Sequence, residues 1–227
     1  MPIHQRPELR DRVGVFRDRS HAGQVLAGML AGFRAGDAAL LAIPAGGLPV
    51  AAAIAPALEL PLDVAVVSKI TLPWNTEVGY GAVAFDGTVR INRDLSRRLA
   101  LGEEEIGRGI AATLAKVRRR VAELGGADCA PDLSRRTAIL VDDGLASGFT
   151  MRTAVEAVRK AGAIRVVVAV PTGSLHSVED LAREADDLYC ANVRGGWSFA
   201  VADAYQRWTD VSEREAREIL DGHRHAE

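Results

Sequence analysis

The feature that most constrains the fold is the alternation of short apolar runs with segments of helical periodicity. The clearest run, residues 164–170 (IRVVVAV), is almost wholly β-branched. Similar runs occupy 39–43, 63–68 and 137–141, and the main helical patterns occupy 20–34, 102–124 and 150–162. Near-continuous apolar runs are typical of strands buried on both faces, and helices between them are typical of right-handed crossovers. The pattern therefore predicts an α/β fold with a mostly parallel sheet covered by helices on both faces.

Two segments interrupt this alternation. Residues 69–79 (KITLPWNTEVG) are polar and contain Pro and Gly, which predicts a long loop, and loops of this length are often functional. The runs 80–85 and 88–92 flank Asp86-Gly87, the pair favoured in tight hairpin turns. We therefore expect an antiparallel ribbon beside the main sheet.

Composition limits the classes of partner. The 227 residues are 48% hydrophobic, which is enough for one main domain spanning 1–227. The formal net charge of −2 provides no general field for polyanions, so no nucleic acid is expected as a partner. No apolar stretch reaches 18 residues, so no membrane partner is expected either.

The remaining chemistry-bearing residues indicate little by themselves. Cys129 and Cys190 match no metal or redox spacing, and the N-terminal residues carry charges without an apolar core typical of a signal peptide. A reducing, cytoplasmic location is therefore expected. The five histidines predict no transition-metal site.

The basic run 116–120 (KVRRR) is expected to form the solvated face of its helix, with a phosphate or subunit contact as the alternative.

Residues 139–150 (ILVDDGLASGFT) end an apolar run in two adjacent carboxylates, Asp142 and Asp143. In parallel sheets, ligands bind beyond the carboxyl ends of the strands, which is where this pair lies. A functional site is therefore expected here. The alternative is an acid pair that caps a helix and binds nothing.

The small residues after the acids predict a phosphate-binding loop. Residues 144–148 (GLASG) let the backbone bring its N–H groups close to an anion, Ser147 and Thr150 add hydroxyl donors, and a helix N-terminus follows. The loop lacks the Lys of GxxxxGK[ST] and contains no GxGxxG, which argues against P-loop triphosphatases and ordinary dinucleotide folds. Two carboxylates would repel a phosphate unless they face hydroxyls and a cation beside it. A ribose 5-phosphate meets both conditions.

The same residues carry a family resemblance. VDDGLASGFT resembles the PRPP-binding motif of type I phosphoribosyltransferases. FRDRSHAGQVLA, AIPAGGLPVA, VVSKI, WNTEVGYGAVAFDG and RWTDVS resemble, in this order, a group of bacterial and archaeal predicted phosphoribosyltransferases. The resemblance covers roughly residues 15–220. It implies the type I phosphoribosyltransferase fold, with a core of about 20–192, a mobile loop after the second strand, and a small hood formed by the N-terminal segment and about 193–227.

The resemblance also implies site residues. Asp142 and Asp143 are expected to hold the ribose hydroxyls, and Lys69 and Glu77 to act near the reaction centre. The 5-phosphate would be held by Ala146, Ser147, Gly148, Phe149 and Thr150. The pyrophosphate loop, which in this family often contains a non-proline cis peptide, would be Pro44, Ala45, Gly46 and Gly47. Phe199, with Trp197 as second choice, is the expected stacking partner of a base.

The implied reaction transfers 5-phosphoribosyl from PRPP to a nitrogenous base, purine-like by preference, and releases pyrophosphate. Mg²⁺ would bridge PRPP and the acids Asp142 and Asp143, while closure of residues 70–80 would exclude water. The expected setting is nucleotide metabolism such as purine salvage. Enzymes of this fold are commonly dimers, so a homodimer is expected by analogy.

Two departures from the family pattern keep other functions open. Close relatives usually have Arg where this chain has Ala45, and often Arg where it has Ser68. One alternative is therefore a non-catalytic regulator that binds PRPP or a nucleotide. The other is a hydrolase that acts on a ribose phosphate.

Overall fold

The main sheet is entirely parallel, as the sequence predicts. The structure is a computed structural model that describes residues 2–125 and 133–224; Cys129 therefore lies outside the described residues. The six strands are β1 (Ile3–His4), β2 (Ala39–Ala42), β3 (Leu62–Val64), β7 (Thr137–Val141), β8 (Arg165–Ser174) and β9 (Asp187–Arg194). They lie in the order β1-β9-β8-β7-β2-β3, and every neighbouring pair is parallel.

Helices cover both faces of this sheet. They are α1 (Arg19–Met29), α2 (Gly47–Leu58), α3 (Arg93–Arg98), α4 (Glu103–Gly125), α5 (Phe149–Lys160), α6 (Leu175–Leu181) and α7 (Glu213–Arg224). Successive residues of β7 point to opposite faces, so Ile139 packs into the core on the α1 and α2 side, and Leu140 into the core on the α5 and α6 side. The predicted α/β fold with a mostly parallel sheet and helices on both faces is therefore confirmed. Within the described ranges, no helix is both long and apolar enough to span a bilayer.

A second, antiparallel sheet corrects two expectations. It consists of β4 (Val67–Leu72), β5 (Asn75–Ala84) and β6 (Val89–Ile91). The run 63–68, expected as one strand, is divided between β3 of the main sheet and β4 of this one. Residues 69–79, expected as a loop, are mostly strand, because β4 and β5 pair from Val67↔Ala84 to Leu72↔Asn75. Residues 70–80 thus form a hairpin rather than a loop.

The expected hairpin at Asp86-Gly87 is confirmed. Strands β5 and β6 pair in antiparallel register, Gly87 has φ +87°, and the Thr88 N–H donates to the Asp86 carboxylate at 2.9 Å. Positive φ at the second turn residue is the reason Gly is favoured there. The long helix α4 then packs against β4 and β5.

The two ends of the chain lie against each other. Residues 14–17 and 203–207 exchange backbone hydrogen bonds, including Phe16 N–H to Ala204 O at 2.9 Å and Gln206 N–H to Phe16 O at 2.8 Å. Strand β1 pairs with β9 at the edge of the main sheet. The hood boundaries stay a prediction, but this contact brings its two expected parts together.

Candidate functional site

The acidic pair lies where two neighbouring parallel strands end. Asp142 and Asp143 follow β7, and Ile43 and Pro44 follow β2 beside it. The Ile43 N–H donates to the Val141 carbonyl at 2.8 Å, which fixes the two strand ends against each other. This is the crevice expected to bind ligands in a parallel sheet.

Asp143 is held by a cation that the sequence analysis did not identify. The Arg19 Nε lies 2.9 Å from Asp143 Oδ2, and the two side chains are only 10% and 16% exposed. Arg19 also donates to the Thr209 carbonyl at 2.7 Å, and its guanidinium lies 3.8 Å from the Trp208 ring centre. Burial raises the pKa of Asp143, and Arg19 opposes that rise. Through Arg19, Asp143 therefore links the end of β7 to the start of α1 and to Thr209 near the C-terminus.

Asp142 has a different environment. It contributes to the walls of two adjacent cavities. Burial raises the pKa of Asp142 well above its usual range, and the neighbouring Asp143 carboxylate raises it further. An acid with this environment in a crevice is a candidate functional group.

The smaller cavity, here the loop cavity, has a volume of about 160 Å³ and is formed mainly by residues 142–148. Ala146, Ser147, Gly148 and Thr150 line it, as expected for a phosphate cradle, whereas Phe149 does not. Gly148, the N-cap residue immediately before α5, has φ +72°, and no side chain caps this helix. The first N–H groups of α5 are consequently left for a ligand.

Contacts from β8 and α6 hold the cradle in shape. The Leu145 N–H donates to Thr172 O at 2.9 Å, and the Ala146 carbonyl accepts hydrogen bonds from the hydroxyls of Ser174 and Ser177. A Cβ on Gly144 would come 2.4 Å from a methyl group of Val201, so glycine allows Val201 to approach the loop. The loop is thus preorganised by its neighbours.

The larger cavity, here the α4 cavity, has a volume of about 840 Å³ and lies between the hairpin and α4. It shares Lys69, Asp142 and Thr150 with the loop cavity. Its wall on α4 is formed by Glu105, Arg108, Gly109, Ala112, Thr113, Lys116 and Arg120. These positions recur every three or four residues and so form one face of the helix. Arg118 and Arg119 are exposed, as expected for a solvated face, whereas Lys116 and Arg120 line the cavity and Arg120 is buried, which corrects that expectation for Arg120.

Of the four residues expected to form the pyrophosphate loop, the first lines a cavity and the other three do not. Pro44 lines the α4 cavity, and the Pro44–Ala45 peptide bond is cis. The two glycines are required by packing: a Cβ on Gly46 would lie 2.1 Å from Asp143 Oδ2, and one on Gly47 would lie 2.5 Å from the Val141 carbonyl oxygen. Ala45, Gly46 and Gly47 are absent from the walls of both cavities.

The other expected site residues separate into those near the cavities and those away from them. Lys69 is exposed on β4 and lines both cavities. Glu77 falls within β5 rather than a loop, and its side chain lies outside the described part of the structure. Trp197 is fully exposed, and Arg194 lies over the Phe199 ring at 5.5 Å. Neither aromatic residue lines either of these two cavities.

The residues that sequence reasoning missed come from distant segments. Arg19 and Tyr205 contact Asp143, and the Tyr205 hydroxyl donates to the Asp143 carbonyl at 2.6 Å. Trp208 packs on the Arg19 guanidinium. The small residues Gly109 and Ala112, at helical spacing, were the available signal for the α4 wall. Arg19 had no such signal, because it lies in a segment where charged residues are frequent.

The donor set is compatible with magnesium only as a metal shared with a ligand. In the described residues, no group of three or more His, Cys, Asp or Glu side chains could hold a metal ion. Mg²⁺ commonly takes one or two carboxylates and completes its shell with phosphate oxygens and water. Asp142 can supply such a carboxylate, whereas Asp143 is paired with Arg19.

Replacing Gly46 with Ala is expected to destabilise the protein. Its backbone angles are helical, so the cost is purely steric: the new methyl group must displace the Asp143 carboxylate held by Arg19. Such overpacking costs about 1–3 kcal/mol, a fall of several degrees in the thermal unfolding midpoint, Tm. Gly107→Ala is the control, because outside the backbone of its own helix and its chain neighbours no atom lies within 4 Å of its Cβ position. Equal Tm values for the two variants would contradict this packing account.

Comparisons with known proteins agree with this geometry. A model of the phosphoribosyl transferase domain matches residues 85–204. Two Mycobacterium tuberculosis proteins, from strains CDC 1551 and H37Rv, carry the provisional name phosphoribosyl transferase, and each is 36% identical over 208 residues. The match covers 91% of this chain and 46% of each relative, so the chain spans about half their length.

A solved structure resembles nearly the whole chain. The protein TT1426 from Thermus thermophilus superposes with a TM-score of 0.73 at 33% sequence identity. The superposition covers 90% of this chain and 97% of that chain. The arrangement of sheet, hairpin and helices is thus shared with that protein.

Proposed function

Since the chain belongs to the phosphoribosyl transferase domain family, we propose that it transfers 5-phosphoribosyl from PRPP to a nitrogenous base and releases pyrophosphate. The observation that carries this proposal is the loop cavity at the uncapped N-terminus of α5, directly beside Asp142 and Lys69. A sugar phosphate needs both an anion cradle and an acceptor for its hydroxyls. These groups are adjacent here.

Each group has a defined task in this proposal. The first N–H groups of α5, with Ser147 and Thr150, bind the 5-phosphate, and Asp142 accepts hydrogen bonds from the ribose hydroxyls. Lys69 lies between the two cavities, where its charge would stabilise the departing pyrophosphate. Asp143 acts indirectly: its ion pair with Arg19 holds the N-terminal and C-terminal segments of the chain beside the site.

Magnesium is the proposed cofactor. Asp142, together with the phosphate oxygens of PRPP, would hold it, and when bound it neutralises part of the negative charge on the leaving diphosphate. The protein itself contributes position and charge, because the bond that breaks lies within the substrate.

The acceptor is proposed to be a purine-like base. The support is the resemblance of the hood segment WSFAVADAY to the base-binding segment of hypoxanthine-guanine enzymes. Phe199 has one ring face next to Arg194, so stacking of a base would use its other face. Trp197 is fully exposed, so its ring is accessible to a ligand.

Calorimetric titration of the purified chain with PRPP is expected to show binding that depends on Mg²⁺. Ribose 5-phosphate is expected to bind independently of the metal, because the loop cavity contacts its phosphate without using a diphosphate. Pyrophosphate release is then measured in the presence of hypoxanthine, guanine or adenine. Release that requires a base supports transfer, whereas phosphate release without any base, or absence of PRPP binding, would contradict it.

A further inference from the structure

The α4 cavity extends beyond the residues to which the proposed reaction assigns a task. In that reaction the 5-phosphate occupies the loop cavity, and Lys69 and Asp142 lie at the junction of the two cavities. The α4 cavity continues from this junction along one face of α4 and has a volume of about 840 Å³, within the range of sites for small organic ligands. Most of its wall therefore has no assigned task.

Charge is distributed unevenly along this wall. The α4 cavity is lined by four cations, Lys69, Arg108, Lys116 and Arg120, and by two acids, Glu105 and Asp142, a balance of +2 in a chain whose formal charge is −2. Glu105 and Arg120 are separated by roughly 22 Å at the 1.5 Å rise per residue of a helix. The end of the cavity at Lys116 and Arg120, where Arg120 contacts Ser68 next to Lys69, is thus cationic.

Arg120 is the unusual member of this group. It is only 8% exposed, which is rare for an arginine, and it lines the α4 cavity. One guanidinium nitrogen, Nη2, pairs with Glu213 Oε1 at 2.9 Å, and Nη1 makes a long contact of 3.4 Å with the Ser68 hydroxyl. Its Nε is buried and has no hydrogen-bond partner among residues 2–125 and 133–224.

A buried donor without a partner indicates a missing acceptor. Glu213 offsets the Arg120 charge only in part, because its side chain is half exposed and lies on α7. Lys116, one turn before Arg120 on the same face, is exposed at the cavity wall. An arginine fork beside a lysine is a suitable pair for a phosphoryl anion.

We propose that the Arg120 end of the α4 cavity is a second anion-binding site, which takes a phosphoryl or diphosphoryl group. Resting on the proposed function, this site defines the ligand as one with anionic groups at two places, the loop cavity and the Arg120 end. The second anion belongs either to the diphosphate of PRPP or to a separate phosphorylated ligand. The chemistry is the same for both, and the experiment separates them.

Inorganic pyrophosphate is the probe, titrated by calorimetry into the full chain with and without saturating ribose 5-phosphate. The wild type is expected to bind it under both conditions, and Arg120→Met is expected to weaken its binding at least about tenfold. Lys116→Met should weaken it severalfold. Arg118→Met is the matched control, because Arg118 is an exposed arginine of α4 that does not line the cavity.

Removing the acid that pairs with Arg120 separates a binding role from a structural one. Glu213→Gln keeps the shape of the side chain and removes the charge that partly neutralises Arg120. If Arg120 binds the anion, Glu213→Gln tightens pyrophosphate binding. If the ion pair only stabilises the fold, Glu213→Gln lowers Tm and leaves pyrophosphate binding unchanged, which would overturn the proposal. This variant keeps the test decisive if Arg120→Met does not fold.

PRPP titrations then identify the source of the anion. Parallel losses of PRPP and pyrophosphate binding in Arg120→Met assign the site to the diphosphate of PRPP, whereas loss of pyrophosphate binding alone assigns it to a separate ligand. A wild type that does not bind pyrophosphate, or an Arg120→Met variant that binds it as tightly, would overturn the second site. Neither result bears on base-dependent transfer, so failure of this inference and failure of the proposed function are distinguishable.

Discussion

Arg19→Met is expected to lower Tm by about 6–20 °C. Removing one partner of a buried ion pair costs about 3–5 kcal/mol, and each kcal/mol shifts Tm by about 2–4 °C in a chain of this size. Arg19 loses its pair with Asp143, its hydrogen bond to the Thr209 carbonyl and its contact with the Trp208 ring in one change. Methionine keeps much of the apolar volume of the arginine side chain, so the fall in Tm reports mainly the loss of the charge.

The pH dependence of this variant distinguishes electrostatics from packing. Burial already raises the pKa of Asp143, and removing Arg19 raises it further. An acid whose pKa is raised in the folded protein costs stability at every pH above its unfolded pKa, and this cost grows until the pH passes the folded pKa. The difference in Tm between wild type and Arg19→Met should therefore narrow as the pH falls from about 8 towards about 5. A constant difference would indicate that lost packing dominates.

Two further variants complete the test of this pair. The double variant Arg19→Met, Asp143→Asn has no buried Asp143 charge left without a partner. It should therefore lose less stability than the two single variants lose in sum. Arg207→Met is the exposed control, because Arg207 is 75% exposed in its pair with Asp18 and should change stability by less than about 1 kcal/mol. Equal losses for Arg19→Met and Arg207→Met would contradict the assigned importance of Arg19.

Sequence reasoning predicted best what local pattern determines. The β-branched run 164–170, the run 137–141 and the long helix from 102 fall within or close to β8, β7 and α4, because strand alternation and helical spacing are properties of neighbouring residues. Thr150 and the small residues before it could likewise be predicted to line one cavity, since the loop and the helix that form it are contiguous; their binding of phosphate stays a prediction.

The failures share a different cause, which is contact between distant segments. The sequence 69–79 has the polar composition of a loop, but pairing of β4 with β5 satisfies its backbone and makes it strand. Arg19 lies 124 positions before Asp143, and Arg120 lies 52 positions after Ser68. The cations that line the site therefore could not be predicted from local pattern, because their positions depend on how the hairpin and α4 pack against the sheet.

Asp142→Asn is expected to weaken PRPP binding strongly and, at the same time, to stabilise the protein. Each hydrogen bond from a ribose hydroxyl to a charged carboxylate contributes about 1.5–3 kcal/mol, so loss of two such bonds weakens binding by roughly a hundredfold or more. The titration described above measures this loss. Asp94→Asn, which changes an exposed acid of α3, is the control and should leave PRPP binding unaffected.

The gain in stability follows from the sign of the pKa shift. Burial and Asp143 raise the pKa of Asp142 above its value in the unfolded chain, so the folded state is penalised once the pH exceeds the unfolded value and the carboxylate must ionise. Asparagine removes that penalty, and relief of such functional strain commonly contributes about 0.5–2 kcal/mol, or a rise of a few degrees in Tm. The advantage of Asp142→Asn should be largest near pH ~8 and shrink as the pH falls. A variant that is less stable than wild type throughout this range, with PRPP affinity intact, would show that Asp142 is a structural acid, and that the charge at the end of β7 serves the fold rather than the ligand.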